Sequence, residues 1–376
     1  MILRGARVAL SATRFERLDI EIRGATIHKL GAVPGRAGID LAGHAILPGL
    51  INAHDHLEFN LFPRLGRGPW PNASAWARDI YRPDESPVRE HRRVPRRVRL
   101  YWGALKNLVS GVTTVCHHNP YERKVFGARF PVRVVRDIGW AHSLAFSPDF
   151  RQRYRATPVA QPFVIHAAEA VDGSGKDELR ALDRMGVVTE RTMLVHAVGA
   201  DWKLLRDRGA SVVTCPSSNL FSLGRTLAPA VFRSRVPIAL GTDSAITASA
   251  DLLDELRLAR RIWKLSAPRL YRMVTEVPAA MLRLTDGRGA IREAGAADLI
   301  VLGDPGRSPA ETLLAARGVE MVVVAGRVRL GSMTPHRLEV RGRGSIRVDA
   351  DTRALYRAAV KYVGEPLRLA GKEVRL

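Results

Sequence analysis

From about residue 46 to 286, apolar, β-branched segments alternate with amphipathic ones, and this grammar limits the fold more than any other feature. The strand-like segments read "AILPGLINAH", "GVTTVCHH", "AHSLAFSP", "PFVIHAAE", "TMLVHAVG", "ASVVTCPSS" and "VPIALGTDS". Helical patterns such as "VRLYWGALKNLVSG" and "WKLLRDRG" lie between them, and "DLLDELRLARRIWKL" follows the last. Nearly continuous apolar strands separated by helices predict a parallel sheet covered on both faces. Seven or eight such units predict an α/β fold of the TIM-like (β/α) barrel type.

The two ends read differently. Residues 1–45 are short strands joined by Gly and Pro turns ("RVAL", "DIEIRG", "TIHKLG", "IDLAG"), and "GAIREAG", "ADLIVLG" and "GVEMVVVAGRVRLG" resume that pattern from about 287. The division expected is a small β-sandwich from 1–45 and 287–342, a barrel over 46–286, and a C-terminal extension over 343–376 ending in a helix, "DTRALYRAAVKYV". The barrel is short in its middle. Only "AHSLAFSP" is a good strand between "GVTTVCHH" and "PFVIHAAE". "PVRVVRD" joins it by too short a link for a parallel crossover and reads as helix. A distorted barrel, or one lacking a β/α unit, is therefore expected.

Composition excludes several alternatives. With 46% hydrophobic and 26% charged residues the chain is no disordered polymer, and no apolar run approaches the roughly 18 residues of a membrane span. The start, "MILRGARVALSATRFERLDIEI", alternates like a strand rather than a signal peptide. Cys116 and Cys215 cannot make a disulfide framework, which agrees with a cytoplasmic setting. The formal charge of +22 rests almost wholly on scattered arginine, with one cluster at "REHRRVPRRVRLY". A nucleic-acid partner is not expected from so diffuse a pattern; a small-molecule substrate, no membrane and a homo-oligomer are.

The chemistry falls at strand ends, where a parallel barrel gathers its loops on one face. One strand ends in His54 and His56, whose i, i+2 spacing points both imidazoles the same way while Asp55 points elsewhere. Others end in His166 and Glu169, in His196, and in Asp243. A single His at a strand end is usually an ordinary polar residue. Four His and one Asp at the ends of four strands are not. Imidazole and carboxylate together suit a borderline divalent ion, Zn2+ before Fe2+ or Mn2+. Such an ion lowers the pKa of a bound water toward about 7. Weaker candidates for substrate contact are His117 and His118, which end "GVTTVCHH", then Glu58, beside Asn60, and Asn219, beside Ser217. His142 starts a strand, away from the active face, and reads as structural. Trp70 and Trp76 lie in a long segment, 57–100, which could form a lid. Cys215, with no dedicated base in sequence, reads as buried.

Taken in order, "ILPGLINAHDH", "IHAAEA", "LVHAVG", "TCPSSNL" and "LGTDS" resemble the amidohydrolase superfamily, most of all its cytosine/guanine deaminase and triazine chlorohydrolase branch. The flanks "DLAGHAILPG" and "GAIREAGAADLIVLGDP" resemble that family's two β-sandwich segments, and "VTEVPAAMLRL" its last barrel helix. The resemblance spans roughly residues 1–330. It implies a metal-dependent hydrolase of a non-peptide C–N bond, with His54, His56, His166 and Asp243 as ligands and Asp243 also accepting the water's proton. It implies Glu169 as proton shuttle and His196 as the group that polarises substrate. Dinuclear relatives carry a carboxylated lysine on a middle strand. None of the lysines here lies between Lys124 and Lys176, which favours one metal. Deamination of an amino-substituted heterocycle is the leading expectation, and hydrolysis of a cyclic amide, as in imidazolonepropionase-like relatives, the alternative.

Overall fold

A computed structural model describes residues 1–35 and 37–376. Eight parallel strands make the central layer. They are β1 (Leu50–Asp55), β2 (Val112–His117), β3 (Arg133–Val134), β4 (Gly139–Ala141), β5 (Phe163–Ala167), β6 (Thr192–His196), β7 (Ser211–Thr214) and β8 (Ile238–Leu240). Every residue of β1, β2 and β5 to β8 is buried, as near-continuous apolar strands require. Six helices matter below: α1 (Ala73–Ile80), α2 (Arg96–Leu108), α3 (Ser174–Arg184), α4 (Pro216–Leu223), α5 (Leu252–Trp263) and α6 (Thr352–Val363). A reciprocal Asp251–Asp254 capping box starts α5. Among the described residues no helix is long and apolar enough to cross a membrane.

The fold is of the TIM-like type with a separate β-rich layer, but hydrogen bonding does not run unbroken around it. β1, β2 and β3 form one ladder and β4 to β8 another. The amides of Thr242 and Asp243, just after β8, both donate to the His54 carbonyl at 3.1 Å and bring the last strand onto the first. Gly241 permits that approach, since a Cβ there would lie 2.8 Å from that of His54.

Two expectations need correction here. "PVRVVRD" is not a helix, because it contains β3, which pairs with β2 through Arg133–Thr114 and Val134–Val115. "AHSLAFSP" is not a strand along its length, since β4 stops at Ala141 and turns follow. The argument from link length assumed that neighbours in sequence pair with each other. They do not: β3 pairs with β2 and β4 with β5, so residues 135–138 need no crossover.

The chain ends build two further sheets. A four-stranded sheet is wholly N-terminal. A ten-stranded sheet joins both ends where His44–Pro48 runs antiparallel to Leu299–Gly303. "AILPGLINAH" is thus two strands rather than one, divided at Gly49, where a Cβ would meet Thr113 at 2.3 Å. "GAIREAG" forms turns, not a strand. The tail continues the ten-stranded sheet with His336–Val340, Gly344–Val348 and a terminal hairpin, and α6 forms as expected behind an Asp351 cap. Trp102 of α2 donates to the Arg368 carbonyl at 2.8 Å, which ties the tail to a barrel helix.

Candidate metal centre and active site

The exits of β1, β5, β6 and β8 converge. His54 and His56 leave β1 on the same side, and Nε2 of His166 lies 3.3 Å from Nε2 of His54 and 3.4 Å from that of His56. Oδ1 of Asp243 is 3.8 Å from His54 Nε2 and 3.9 Å from His56 Nε2. Donors at bonds of about 2.0–2.1 Å around a tetrahedral zinc stand about 3.3–3.5 Å apart, so the spacings of His166 to His54 and to His56 suit one ion, while the Asp243 carboxylate stands wider. The tautomer fits as well. His166 Nδ1 donates to the His142 carbonyl at 2.7 Å, which leaves the Nε2 lone pair facing the group. Burial first, then the neighbouring imidazoles, hold His54 and His166 well below the ordinary pKa, so both are neutral at pH 7 as ligation requires.

Asp243 is held tightly. Its Oδ2 accepts from Ser218 Oγ at 2.7 Å and Thr247 Oγ1 at 3.0 Å, and its Oδ1 from the Ser244 amide at 2.7 Å. Burial would raise its pKa, but His196, His56 and the two hydroxyls outweigh that and keep it below the usual range. Backbone strain collects here too: Ala168 (φ 53°), His196 (φ 71°), Ala197 (φ 51°) and Asp243 (φ 54°) all lie in the left-handed region.

Glu169 and His196 face each other across the same floor, with Oε2 to Nε2 at 3.7 Å. His196 Nδ1 is 2.7 Å from Asn219 Oδ1, so Nδ1 carries a proton and Nε2 points at Glu169 and Asp243. Burial pushes Glu169 up to about 7, with Asp243 and Glu178 adding to the rise and His196 opposing it.

Above this floor opens a cavity of about 540 Å3, lined by His56, His166, Glu169, His196 and Asp243 and by Phe59, Trp76, His142, Phe146 and Glu178. Helix α1 from the long 57–100 segment lies over it: the Ala73 amide donates to the Glu169 carbonyl at 3.0 Å and the Val171 amide to that of Pro71 at 2.8 Å. Trp76 lines the cavity. Trp70 instead packs edge-on against Phe221 and bonds Asp79.

The four weaker candidates do not line the cavity. His117 and Glu58 pair behind β1, Nε2 to Oε2 at 3.4 Å, with Arg96 on the other oxygen of Glu58 at 3.2 Å. His117 Nδ1 also takes the Leu57 amide at 3.3 Å, steadying the turn after His56. Asn219 orients His196. His118 belongs with the ligand cluster, because His54, His56, His118 and His166 place one nitrogen each within 4.8 Å of one another. Its Nε2 donates to the Ala141 carbonyl at 2.8 Å, and its buried Nδ1 has no partner among the described residues. His142 reverses its expected place: β4 ends at Ala141, so His142 sits on the active face, its ring 4.7 Å from that of His166.

Sequence reasoning missed Lys106. Only 2% exposed, it reaches from α2 to Asn60 Oδ1 (2.8 Å), Thr242 Oγ1 (3.2 Å), the Asp243 carbonyl (3.1 Å) and Asp55 Oδ2 (3.6 Å). Asp55 does point away from the ligands, and it accepts from Asn60, Asn107 and Thr242. This knot binds β1, α2 and the exit of β8. A lone lysine in a helix carries no signal of such burial. Both cysteines are buried, and burial pushes Cys116 up to about 12 and Cys215 well above its ordinary value.

A barrel with imidazoles and a carboxylate gathered at its strand exits defines a class of metal-binding hydrolase folds. Residues 159–329 match the amidohydrolase family. The chain is 25% identical over 359 residues to the 5-methylthioadenosine/S-adenosylhomocysteine deaminase of Pyrococcus furiosus, covering 76% of this chain and 82% of that one. In fold it is similar to the zinc complex of atrazine chlorohydrolase TrzN from Arthrobacter aurescens TC1 (TM-score 0.73, 20% identity, 96% of this chain and 99% of that one). It is likewise similar to a zinc-bound adenosine deaminase from Xanthomonas campestris (TM-score 0.70, 21% identity, 96% and 97%). At such identities the two structural likenesses speak for the fold.

Proposed function

We propose that the protein is a single-metal hydrolase that removes the amino group of an amino-substituted heterocycle, with residues 46–286 as the catalytic unit and the β-rich ends as its support. The carrying observation is that His166 Nε2 lies 3.3–3.4 Å from Nε2 of His54 and His56, and Asp243 Oδ1 3.8–3.9 Å from those two, beneath a cavity that also exposes Glu169 and His196. His54, His56, His166 and Asp243 would hold the ion. When bound, that ion supplies an activated water as nucleophile.

The chain's own groups do the rest. Glu169 sits near 7, so at neutral pH it is present both as acid and as base; it can give a proton to a ring nitrogen and then to the departing amine. Asp243, held ionised, can take the proton that the attacking water loses. His196, its Nδ1 fixed by Asn219, turns Nε2 toward the oxyanion that develops. The similarity to a 5-methylthioadenosine/S-adenosylhomocysteine deaminase over most of both chains supports an adenosine-type substrate.

Zinc-reconstituted enzyme should release ammonia from an aminopurine or aminotriazine. Release of a carboxylate without ammonia would instead establish the cyclic-amide alternative. Glu169→Gln should keep its metal and lose about 100-fold or more in turnover; full activity would remove Glu169 from the mechanism.

A further inference from the structure

The cavity is larger than catalysis on a bare ring needs, and its wall at α3 holds a carboxylate that the mechanism does not use. Glu178 stands on the first turns of α3 and lines the cavity. Its Oε2 accepts the Ala168 amide at 2.8 Å, in the strained turn that precedes Glu169. Its Oε1 has no hydrogen-bond partner among the described residues. The side chain is thus anchored by one oxygen and offers the other. At about 540 Å3 the space falls in the range of sites that enclose drug-sized ligands, not single rings. Phe59 and Trp76 line the cavity with aromatic surface, which suits a flat heterocycle, while the wall at α3 is polar, with Ser174 beside Glu178. Phe146, 48% exposed, marks the rim, so the outer part opens to solvent and leaves room for a substituent.

We infer that Glu178 forms an outer subsite for a hydrogen-bond donor, O–H or N–H, on a substituent of the heterocycle, so that the substrate is a ring bearing a polar arm such as a nucleoside. This deepens the deaminase reading and rests on it for the orientation of the ring. An acceptor with one oxygen fixed is well placed to reward such a donor and to leave a ring without one unassisted, because a built polar site penalises a ligand that lacks the matching group.

Binding to the zinc-loaded protein tests this without requiring turnover. Adenine carries no arm, adenosine carries hydroxyls and 9-(3-aminopropyl)adenine carries an ammonium. Glu178→Gln keeps an amide oxygen for Ala168 and turns an NH2 group, no acceptor, toward the cavity. Calorimetry should show that wild type prefers at least one armed compound, and that Glu178→Gln weakens that compound about ten-fold or more while changing adenine by less than about two-fold. Whichever armed compound responds identifies the donor. Equal effects on adenine and the armed compounds, no effect on any, or a wild type that prefers adenine would overturn the subsite. Ammonia release by wild type is scored separately: selective binding with no release would sink the deaminase reading and leave the subsite standing.

Discussion

Strands β5 to β8 form one unbroken parallel ladder, whereas β3 and β4 across the layer are fragments of two and three residues that share no ladder. The regular side supplies His166, Glu169, His196 and Asp243, the groups that need fixed positions. The irregular side supplies His142 and Phe146, which shape the cavity, and the Ala141 and His142 carbonyls, which orient His118 and His166. β5 and β6, which carry His166, Glu169 and His196, are bonded on both flanks, and the Thr242 and Asp243 amides tie the edge strand β8 to β1, which carries His54 and His56; strand ends braced in this way hold side chains in fixed positions. Fragments cost little to rearrange and are where one relative can differ from another in substrate.

Breaking the regular side should have the largest effect. Asp243→Ala removes a proposed ligand outright; partners that merely orient ligands cost about 10–100-fold in metal affinity, so this change should exceed about 100-fold. Metal analysis after dialysis against a chelator checks it, and undiminished zinc would refute the ligand set.

The knot at Lys106 comes next. Lys106→Met leaves Asp55 buried without its cation, a loss of about 3–5 kcal/mol, read as a lower denaturant midpoint. A midpoint within error of wild type would show that Asn60, Asn107 and Thr242 suffice for Asp55.

A pH series separates protonation from packing. Glu169 and Glu255 are both pushed by burial from an ordinary 4.5 to about 7. The unfolded chain releases these protons near 4.5 and the folded chain near 7. Their contribution to stability is therefore complete below about 4.5 and is lost as pH climbs to about 7. Glu255→Gln should flatten that stretch of the stability–pH curve in the metal-free protein; an unchanged slope would show that Glu255 titrates normally.

On the irregular side the effect should be smallest. His142→Ala keeps the carbonyl that anchors His166, so zinc should stay bound while substrate affinity falls about ten-fold. Loss of zinc instead would move His142 from the cavity wall into the ligand structure.

How far the chain could be read follows the same division. The HxH pair, His166, His196 and Asp243 were readable because strand-end placement is a local property, visible wherever an apolar run stops at a polar residue. The segment 118–162 was not, because β3 and β4 are too short to show a period and pair with strands on opposite sides. His117 and His118 illustrate the limit within one motif. Adjacent residues at a strand end face opposite ways, and only packing decides that one meets Glu58 and the other the ligand cluster.

Amino-acid order alone determined the alternating architecture and which polar residues stand at the strand exits, since both follow from periodicities of two and 3.6 residues. The tertiary structure decided which imidazole touches which group, that Lys106 is buried at the heart of the site, and that Glu178 faces the cavity. Those facts depend on contacts between elements far apart in the chain, and no local pattern encodes a distance across a barrel.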